Sequence, residues 1–227
     1  MTDQHIRTIK SFIKREGRLT PGQQRALEIL WPEFGIEFSE QKLDLQKTFN
    51  RDAETILEIG FGNGNSLWEM AKEDAGRNYI GIEVHRPGAG HLLQLIEQSE
   101  IKNCRIICHD AVDVIDHQIA DNSLHRVQLF FPDPWHKKKH HKRRIVQDDF
   151  VNMLAQKIKS GGIFHLATDW EHYAEHMIKV MNRNIHFTNL STDNTFMPKP
   201  DYRPTTKFET RGKKLGHGVW DMLYRKV

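Results

Sequence analysis

From about residue 55 onward, short runs of β-type residues alternate with stretches of helix length. This alternation is typical of a mostly parallel sheet with helices on both faces, because consecutive parallel strands need a crossover between them. Strands are predicted at 56–59, 79–83, 105–108, 126–131, 163–167, 185–189 and 219–224, and helices at 66–74, 88–99, 145–159 and 170–182. The pattern therefore predicts one α/β domain with a seven-stranded sheet over residues 51–227.

Residues 1–50 lack strand character and are predicted to form a basic extension that contains a helix. Thr20 precedes Pro21 and Gly22, which is a helix-start signal in which the threonine caps a helix over 23–30. Basic residues recur before it at helix-compatible spacing, at Arg7, Lys10, Lys14, Arg15 and Arg18. Two interpretations remain open for them, an RNA-binding face and an ordinary solvated helix face.

The composition bounds the class of protein and its location. Of the 227 residues 38% are hydrophobic and 28% charged, and no apolar run reaches the roughly 20 residues that cross a bilayer. The N-terminus has no apolar segment typical of a secretory signal. Cys104 and Cys108 lie four strand steps apart, roughly 13 Å, which is beyond the reach of a disulfide. We therefore expect two buried thiols and a cytoplasmic protein without a membrane partner, and a monomer because no heptad pattern is visible.

A glycine-rich turn follows the first strand of this domain. Gly60, Gly62 and Gly64 stand at alternate positions before a predicted helix. Such a turn lets a ligand approach the backbone closely, so Gly60 and Gly62 are candidate cofactor-binding residues. A dinucleotide-binding fingerprint has its third glycine three positions after the second, where this chain has Asn65. A nicotinamide-dependent oxidoreductase is therefore disfavoured.

Acidic residues end three successive strands. Glu58 precedes Gly60, Glu83 ends the second strand and Asp110 follows the third. This pattern resembles the methyltransferases that bind S-adenosylmethionine, in which such carboxylates suit the cationic amino-acid portion, the ribose hydroxyls and the adenine amine. Each acid alone has a simpler interpretation as an exposed strand-end carboxylate. Three together at the carboxyl edge of an α/β sheet indicate a ligand site, because ligands bind there.

The fourth strand leads into Pro132-Asp133-Pro134-Trp135 and then into a basic run, residues 137–144. The prolines fix the backbone on either side of Asp133, although a simple strand-ending turn has the same composition. A run of like charge faces either solvent or a polyanion. Trp135 is open to two interpretations, a base-stacking residue and a core residue. The histidines of the run lack metal-ligand spacing, so no metal is expected.

The segment 132–144 is similar to the hallmark segment of the bacterial tRNA (guanine-N7)-methyltransferases. The resemblance continues over almost the whole chain, through segments 17–24, 168–170, 206–209, 211–212 and 216–220. It implies a Rossmann-like class I methyltransferase fold, S-adenosylmethionine as cofactor, and methylation of the guanine at position 46 in the variable loop of tRNA. It implies no further protein partner.

The resemblance also implies roles for individual residues. The cofactor would be contacted by Glu58, Glu83, Asp110 and Asp133, and Asp133 would also be the active-site residue. The guanine would be contacted by Lys137, Asp169, Thr206, Lys207, Phe208 and Glu209. The RNA backbone would be met by Lys139, His140, His141, Lys142, Arg143 and Arg144.

The proposed nucleophile needs no general base, because guanine N7 carries a lone pair and no proton. A carboxylate such as Asp133 or Asp169 can stabilise the positive charge that moves into the guanine ring, and Glu209 or Asp169 can accept from N1 and the exocyclic amine. Two rival functions remain. One is a methyltransferase acting on an exocyclic amine, whose motif after the fourth strand is Asn/Asp-Pro-Pro-aromatic rather than Pro-Asp-Pro-Trp. The other is a non-catalytic RNA-binding protein.

Overall fold

A computed structural model describes residues 10–12, 17–206, 209–210 and 218–227 of the chain. The helices are α1 (Pro21–Phe34), α2 (Leu45–Phe49), α3 (Asn65–Glu73), α4 (Arg86–Ser99), α5 (Ala111–Asp113), α6 (Asp148–Lys157) and α7 (Glu171–Asn182). The strands are β1 (Gly35–Ile36), β2 (Thr55–Ile59), β3 (Asn78–Ile82), β4 (Cys104–Ile107), β5 (Leu124–Phe130), β6 (Ile158–Thr168), β7 (Phe187–Asn189) and β8 (Trp220–Lys226). A π-helical turn (Val114–Gln118) extends α5, and a 3-10 helix (Lys138–Arg143) precedes α6.

The strands form one sheet in the order β1-β4-β3-β2-β5-β6-β8-β7 within the described residues. Paired strands among β1 to β6 are all parallel, whereas β8 is antiparallel to both β6 and β7. The chain leaves β2 in one direction to build β3 and β4, and later returns to the other side of β2 with β5. This reversal creates a crevice at the carboxyl ends of β2 and β5, where α/β proteins bind ligands.

The predicted α/β fold is confirmed, with seven expected strands and one more. The additional strand is β1, a two-residue edge strand that pairs with β4. Two residues show no periodicity in a sequence, so this strand could not be predicted. The predicted helix 145–159 was too long at both ends. Helix α6 begins at Asp148, and residues 158–159 already belong to β6. The predicted start of β6 at 163 was correspondingly late.

Apolar side chains form a core on each face of the sheet, as the two-residue alternation of strands requires. Leu57 and Ile59 of β2 pack into the core that α6 and α7 cover, whereas Ile56 packs into the core under α1, α3 and α4. Each fully buried aliphatic side chain contributes about 1.5–3 kcal/mol to folding. The carboxyl ends of the central strands are thus held on a rigid support.

Thr20 caps helix α1 as the sequence predicts, but the helix spans Pro21–Phe34 rather than 23–30, and it packs on α4 of the sheet domain. The Thr20 side chain accepts a hydrogen bond from the Gln23 amide (3.3 Å), and the Gln23 side chain accepts one from the Thr20 amide (2.9 Å). This reciprocal pair caps the helix. Gly90 of α4 packs so closely on α1 that an added Cβ would lie 2.9 Å from the Gln23 Cβ.

Two further expectations concern location and thiols. None of the helices in the described part of the chain is long and apolar enough to cross a membrane. Cys104 is buried in β4 and Cys108, just after the strand, is half-buried, with no disulfide between them. The expectation of two buried thiols is therefore confirmed for Cys104 only.

Candidate active site

The glycine turn, residues 60–64, presents open backbone to the crevice. Gly60 and Gly62 have φ values of +72° and +59°, a region that glycine enters without steric cost. A Cβ built at either position would meet no atom within 4 Å. The Gly60 amide donates to the Ile82 carbonyl of β3 (2.8 Å), which fixes the turn against the sheet. The turn is therefore a rigid cradle with one open side.

Glu83 is held beside this turn by backbone donors. One carboxylate oxygen accepts from the Gly62 amide (2.8 Å), and the other accepts from the amides of Val84 (2.7 Å) and His85 (3.1 Å). A carboxylate offers about four acceptor positions, so roughly one remains for a ligand. These contacts fix the side chain before any ligand arrives.

Asp110 lies at the end of β4 and is 8% exposed. One carboxylate oxygen caps α5 by accepting from the Val112 amide (3.1 Å), and the other pairs with the Lys10 ammonium (2.6 Å). The hydrogen bond to Asp110 raises the pKa of Lys10, against a smaller opposing effect of burial. Lys10 was predicted in a basic RNA-binding or solvated face; in the structure it contacts the acid expected at the adenine.

A cavity of about 210 Å³ lies at this carboxyl edge. Its polar lining includes Gly60, Glu83, Asp110 and Asp133, and its apolar lining includes Ile59, Ile82, Leu129 and Phe130. Ser11 and Phe12 of the N-terminal region also line it. Four of the six predicted cofactor residues thus meet in one cavity, and Gly62 supports it by binding Glu83.

Glu58 does not line that cavity. Its side chain is 3% exposed within the sheet, and its Oε2 has no hydrogen-bond partner among the described residues. Burial raises the pKa of Glu58 to about 8, with Arg126 opposing the shift and Glu83 adding to it. Burial therefore favours the neutral form of Glu58 in this structure.

The Asp133 loop, residues 131–135, closes the other side of the cavity. It begins and ends in left-handed backbone, with φ of 51° at Phe131 and 49° at Trp135. Asp133 itself is exposed at the cavity rim. Trp135 is half-buried: its indole nitrogen donates to the Ser11 carbonyl (3.1 Å), and the Arg143 guanidinium lies 4.0 Å from the ring centre. The indole thus packs against the N-terminal region and Arg143.

The basic run forms the 3-10 helix and differs in exposure along its length. Lys137, Lys139 and Lys142 are exposed, whereas His140 and His141 are half-buried. Arg143 donates to the carbonyls of Lys10 (3.1 Å) and Phe12 (3.0 Å). No cluster of three metal-ligating side chains occurs in the described ranges.

Arg144 departs from the RNA-contacting role that the resemblance implied, because its side chain is buried, 2% exposed. Its Nε donates to the Pro134 carbonyl (2.9 Å), and its guanidinium stacks 4.7 Å from the centre of the Tyr173 ring. A phosphate cannot reach a group enclosed in this way. A run of eight like residues gave no signal that its last member turns inward.

The predicted guanine-contacting residues differ in how far they are exposed. Asp169, immediately after β6, and Thr206 are half-buried. Glu209 is 1% exposed and pairs with Arg203 (2.7 Å). The expectation that the Glu209 carboxylate is open to a base is therefore not met in this structure. Lys207 and Phe208 lie outside the described residues, as do the matches at 211–212 and 216–217.

Arg203 connects Glu209 to the sheet. No role for this residue was predicted from the sequence. It donates to both carboxylate oxygens of Asp221 on β8, at 2.6 and 2.7 Å. Asp221 also bonds His165 of β6 (2.8 Å), whose other ring nitrogen meets the Tyr202 hydroxyl (2.8 Å). Burial raises the pKa of Asp221, but hydrogen bonds from His165 and Arg203 outweigh it and hold that pKa below its usual range. A single arginine in a loop gives no sequence signal for such a network.

Comparison with known proteins agrees with this fold. A family model described as "Putative methyltransferase" matches residues 52–222. A 16S rRNA methyltransferase, KamB, has a similar fold with a TM-score of 0.60 over 82% of this chain and 95% of its own, at 9% identity. The fold and the carboxyl-edge site thus define the chain as a Rossmann-like methyltransferase.

Two full-length relatives narrow the class. The tRNA (guanine-N(7)-)-methyltransferase of Vibrio cholerae serotype O1 (strain M66-2) is 56% identical over 98% of this chain and 93% of its own. That of Shewanella sp. (strain MR-4) is 54% identical over 98% of this chain and 94% of its own. The chain belongs to the tRNA (guanine-N7)-methyltransferase family.

Proposed function

We propose that the protein transfers a methyl group from S-adenosylmethionine to N7 of the guanine at position 46 in the variable loop of tRNA. The observation that carries the proposal is the cavity in which the glycine turn, Glu83 and Asp110 face Asp133, with the exposed lysines of the basic run beside it. The names of the full-length relatives supply the acceptor class.

The residues present suit the cofactor. The open side of Gly60 and Gly62 accommodates a ligand against the backbone, and the remaining acceptor position of Glu83 suits a ribose hydroxyl. Asp110 suits the adenine amine, with Lys10 sharing its second oxygen. Glu58 stays in the proposed set as the acid beneath the turn, where an approaching cation favours its ionisation. When bound, the cofactor supplies an electrophilic methyl carbon on a sulfonium.

The acceptor side requires orientation rather than proton transfer. Guanine N7 attacks with its lone pair and has no proton to lose, so the site needs no general base. We assign Asp133 the role of stabilising the positive charge that develops in the guanine ring, because its carboxylate is exposed at the cavity rim. Holding N7 in line with the methyl carbon contributes most of the rate.

The structure favours Asp169 over Glu209 as the acceptor for guanine N1 and the exocyclic amine. Glu209 is buried and paired with Arg203, whereas Asp169 is half-buried at the same sheet edge as Asp133. Lys137, Thr206, Lys207 and Phe208 complete the proposed guanine contacts.

We propose that the RNA backbone is contacted by Lys139, His140, His141, Lys142 and Arg143. Arg144 is left out of this set because it is buried. Contacts of this kind neutralise phosphates without reading sequence. We further propose residues 51–227 as the methyltransferase domain, residues 1–50 as its N-terminal extension, and a monomer that acts in the cytoplasm.

The experiment uses methyl-labelled S-adenosylmethionine and two tRNA transcripts that differ only at position 46, guanine in one and adenine in the other. We expect label in the first and none in the second, with digestion placing the label in 7-methylguanosine. Equal labelling of both transcripts contradicts the assignment of position 46. Absence of label from both contradicts tRNA as acceptor and favours the non-catalytic rival.

A further inference from the structure

The Asp133 loop begins and ends in backbone conformations that need support from surrounding contacts. Both of its end residues, Phe131 and Trp135, are large side chains in the left-handed region, at φ of 51° and 49°. Non-glycine residues avoid this region, and they remain there only where surrounding contacts force them to. The two prolines fix φ at their own positions and supply no hydrogen-bond donor. The position of Asp133 therefore depends on contacts from outside the loop.

Arg144 supplies such a contact. Its Nε donates to the carbonyl of Pro134, the residue after Asp133, at 2.9 Å. The guanidinium lies 4.7 Å from the centre of the Tyr173 ring of α7, and a second nitrogen donates to the His172 Nδ1 (3.2 Å). Tyr173 is completely buried, so one end of this contact is fixed in the core. Arg144 thereby ties the Asp133 loop to helix α7.

The chemistry of these contacts requires an arginine. Two different nitrogens of one planar group bond Pro134 and His172 while its face covers Tyr173. A lysine has a single nitrogen on a flexible stem and cannot reproduce a stacked, forked geometry. A phosphate contact, in contrast, tolerates lysine, because lysine binds phosphate as a point charge.

We propose that Arg144 is a positioning residue for methyl transfer, which holds the Asp133 carboxylate at the cavity rim through the Pro134 carbonyl and does not bind RNA. This inference rests on the proposed function. It separates the last residue of the basic run from the exposed Lys139 and Lys142, whose side chains are open to phosphates.

The test compares four variants of the full-length protein with the wild type: Arg144→Lys, Arg144→Met, Lys139→Met and Arg183→Met. Arg183 is an exposed arginine after α7, paired with Asp148, and serves as the matched control. The assay measures kcat and KM for the tRNA transcript, the salt dependence of tRNA binding, and cofactor affinity. Thermal unfolding of each variant reports whether it is folded.

We expect both Arg144 variants to lower kcat by about 10- to 100-fold, the loss that follows when a catalytic group shifts by an ångström. Their KM for tRNA and the salt slope of binding should match the wild type. Lys139→Met should instead raise KM and reduce the salt slope by about one unit. Arg183→Met should leave all values unchanged.

Three results would overturn the inference. They are wild-type kcat in Arg144→Lys, a reduced salt slope in Arg144→Met, and failure of Arg144→Lys to fold, since the residue would then serve folding. If neither the wild type nor Arg183→Met labels tRNA, the proposed function itself is wrong. If those two proteins do label tRNA, a failure of the inference about Arg144 is distinguishable from a failure of the proposed function.

Discussion

The two sides of the cavity are held in place by different means. On the cofactor side, the Glu83 carboxylate accepts hydrogen bonds from the backbone amides of Gly62, Val84 and His85 at the edge of the sheet. On the acceptor side, the Asp133 loop and Glu209 are bonded by the side chains of two buried arginines, Arg144 and Arg203. The first side is therefore held by backbone donors and the second by arginine side chains.

This difference predicts how each side responds to substitution. Changes on the cofactor side should alter ligand affinity at a modest cost in folding. Changes to the buried arginines should alter stability or turnover, because each removes a side chain to which buried groups are hydrogen-bonded in the folded protein. Substitutions on the two sides, in order of expected effect, test whether they are separable.

Arg203→Met should give the largest effect, a loss of about 3–5 kcal/mol in the free energy of unfolding. The substitution leaves the Asp221 and Glu209 carboxylates, both 2% exposed or less, without their shared cation. Denaturant unfolding measures the loss. Arg183→Met is the control, since its exposed pair with Asp148 should contribute only about 0–1 kcal/mol. Equal losses in the two variants would show that the buried network does not stabilise the acceptor side.

Glu58→Gln should change how stability depends on pH. The pKa of Glu58 is raised to about 8 in the folded protein, against 4.5 for an unperturbed group, so between these values the folded state binds more protons than the unfolded state. Stability due to this group is therefore present below 4.5 and falls as pH rises to about 8, by about 1.4 kcal/mol per unit.

Between about pH 5.5 and 7.5, the stability measured by unfolding should fall with rising pH more steeply in the wild type than in Glu58→Gln, by this slope. Glu97→Gln is the control, because pairing with Arg25 lowers the pKa of that exposed group and moves its effect below this range. An unchanged slope in Glu58→Gln would mean that Glu58 is ionised in the folded protein.

Gly62→Ala should weaken cofactor binding by about 10-fold or more, because the new side chain enters the open face of the turn and strains a residue at φ +59°. Titration with S-adenosylmethionine measures the affinity. Gly76→Ala is the control, since its added carbon would lie an ordinary 3.4 Å from Asp74. Equal affinities in the two variants would place the ligand elsewhere.

Lys142→Met should have the smallest effect, a reduction of about one unit in the slope of log affinity for tRNA against log salt. Lys142 is exposed in the basic run, and Lys179→Met, exposed on α7, is the control. Measurement of tRNA binding at several salt concentrations gives both slopes. A wild-type slope in Lys142→Met would indicate that the basic run faces solvent.

The contrast between the two sides also explains what the sequence could predict. The positions of seven strands, the glycine turn and the places of Glu83, Asp110 and Asp133 at the ends of strands were predictable, because local sequence pattern determines them. The buried position of Arg144 was not predictable, because inward and outward arginines look alike within a basic run. The role of Arg203 depends on partners on other elements, Asp221 and Glu209, so no local signal marked it.

Glu58 shows a further limit of sequence. Its position before Gly60 correctly indicated the turn, but its ionisation depends on burial and on Arg126, which only the folded structure brings together. Lys10 is similar, because its partner Asp110 is 100 residues away along the chain. Pattern locates such residues, whereas the folded environment determines their charge and contacts.

The central claim is that guanine N7 attacks directly in a site that orients it and supplies no base. A tRNA transcript with 7-deazaguanine at position 46, where carbon replaces N7, tests this claim against an otherwise identical transcript with guanine. The account predicts methyl transfer from labelled S-adenosylmethionine to the guanine transcript and none to the 7-deaza transcript. Equal labelling of the two would contradict it and would favour an exocyclic amine as the acceptor.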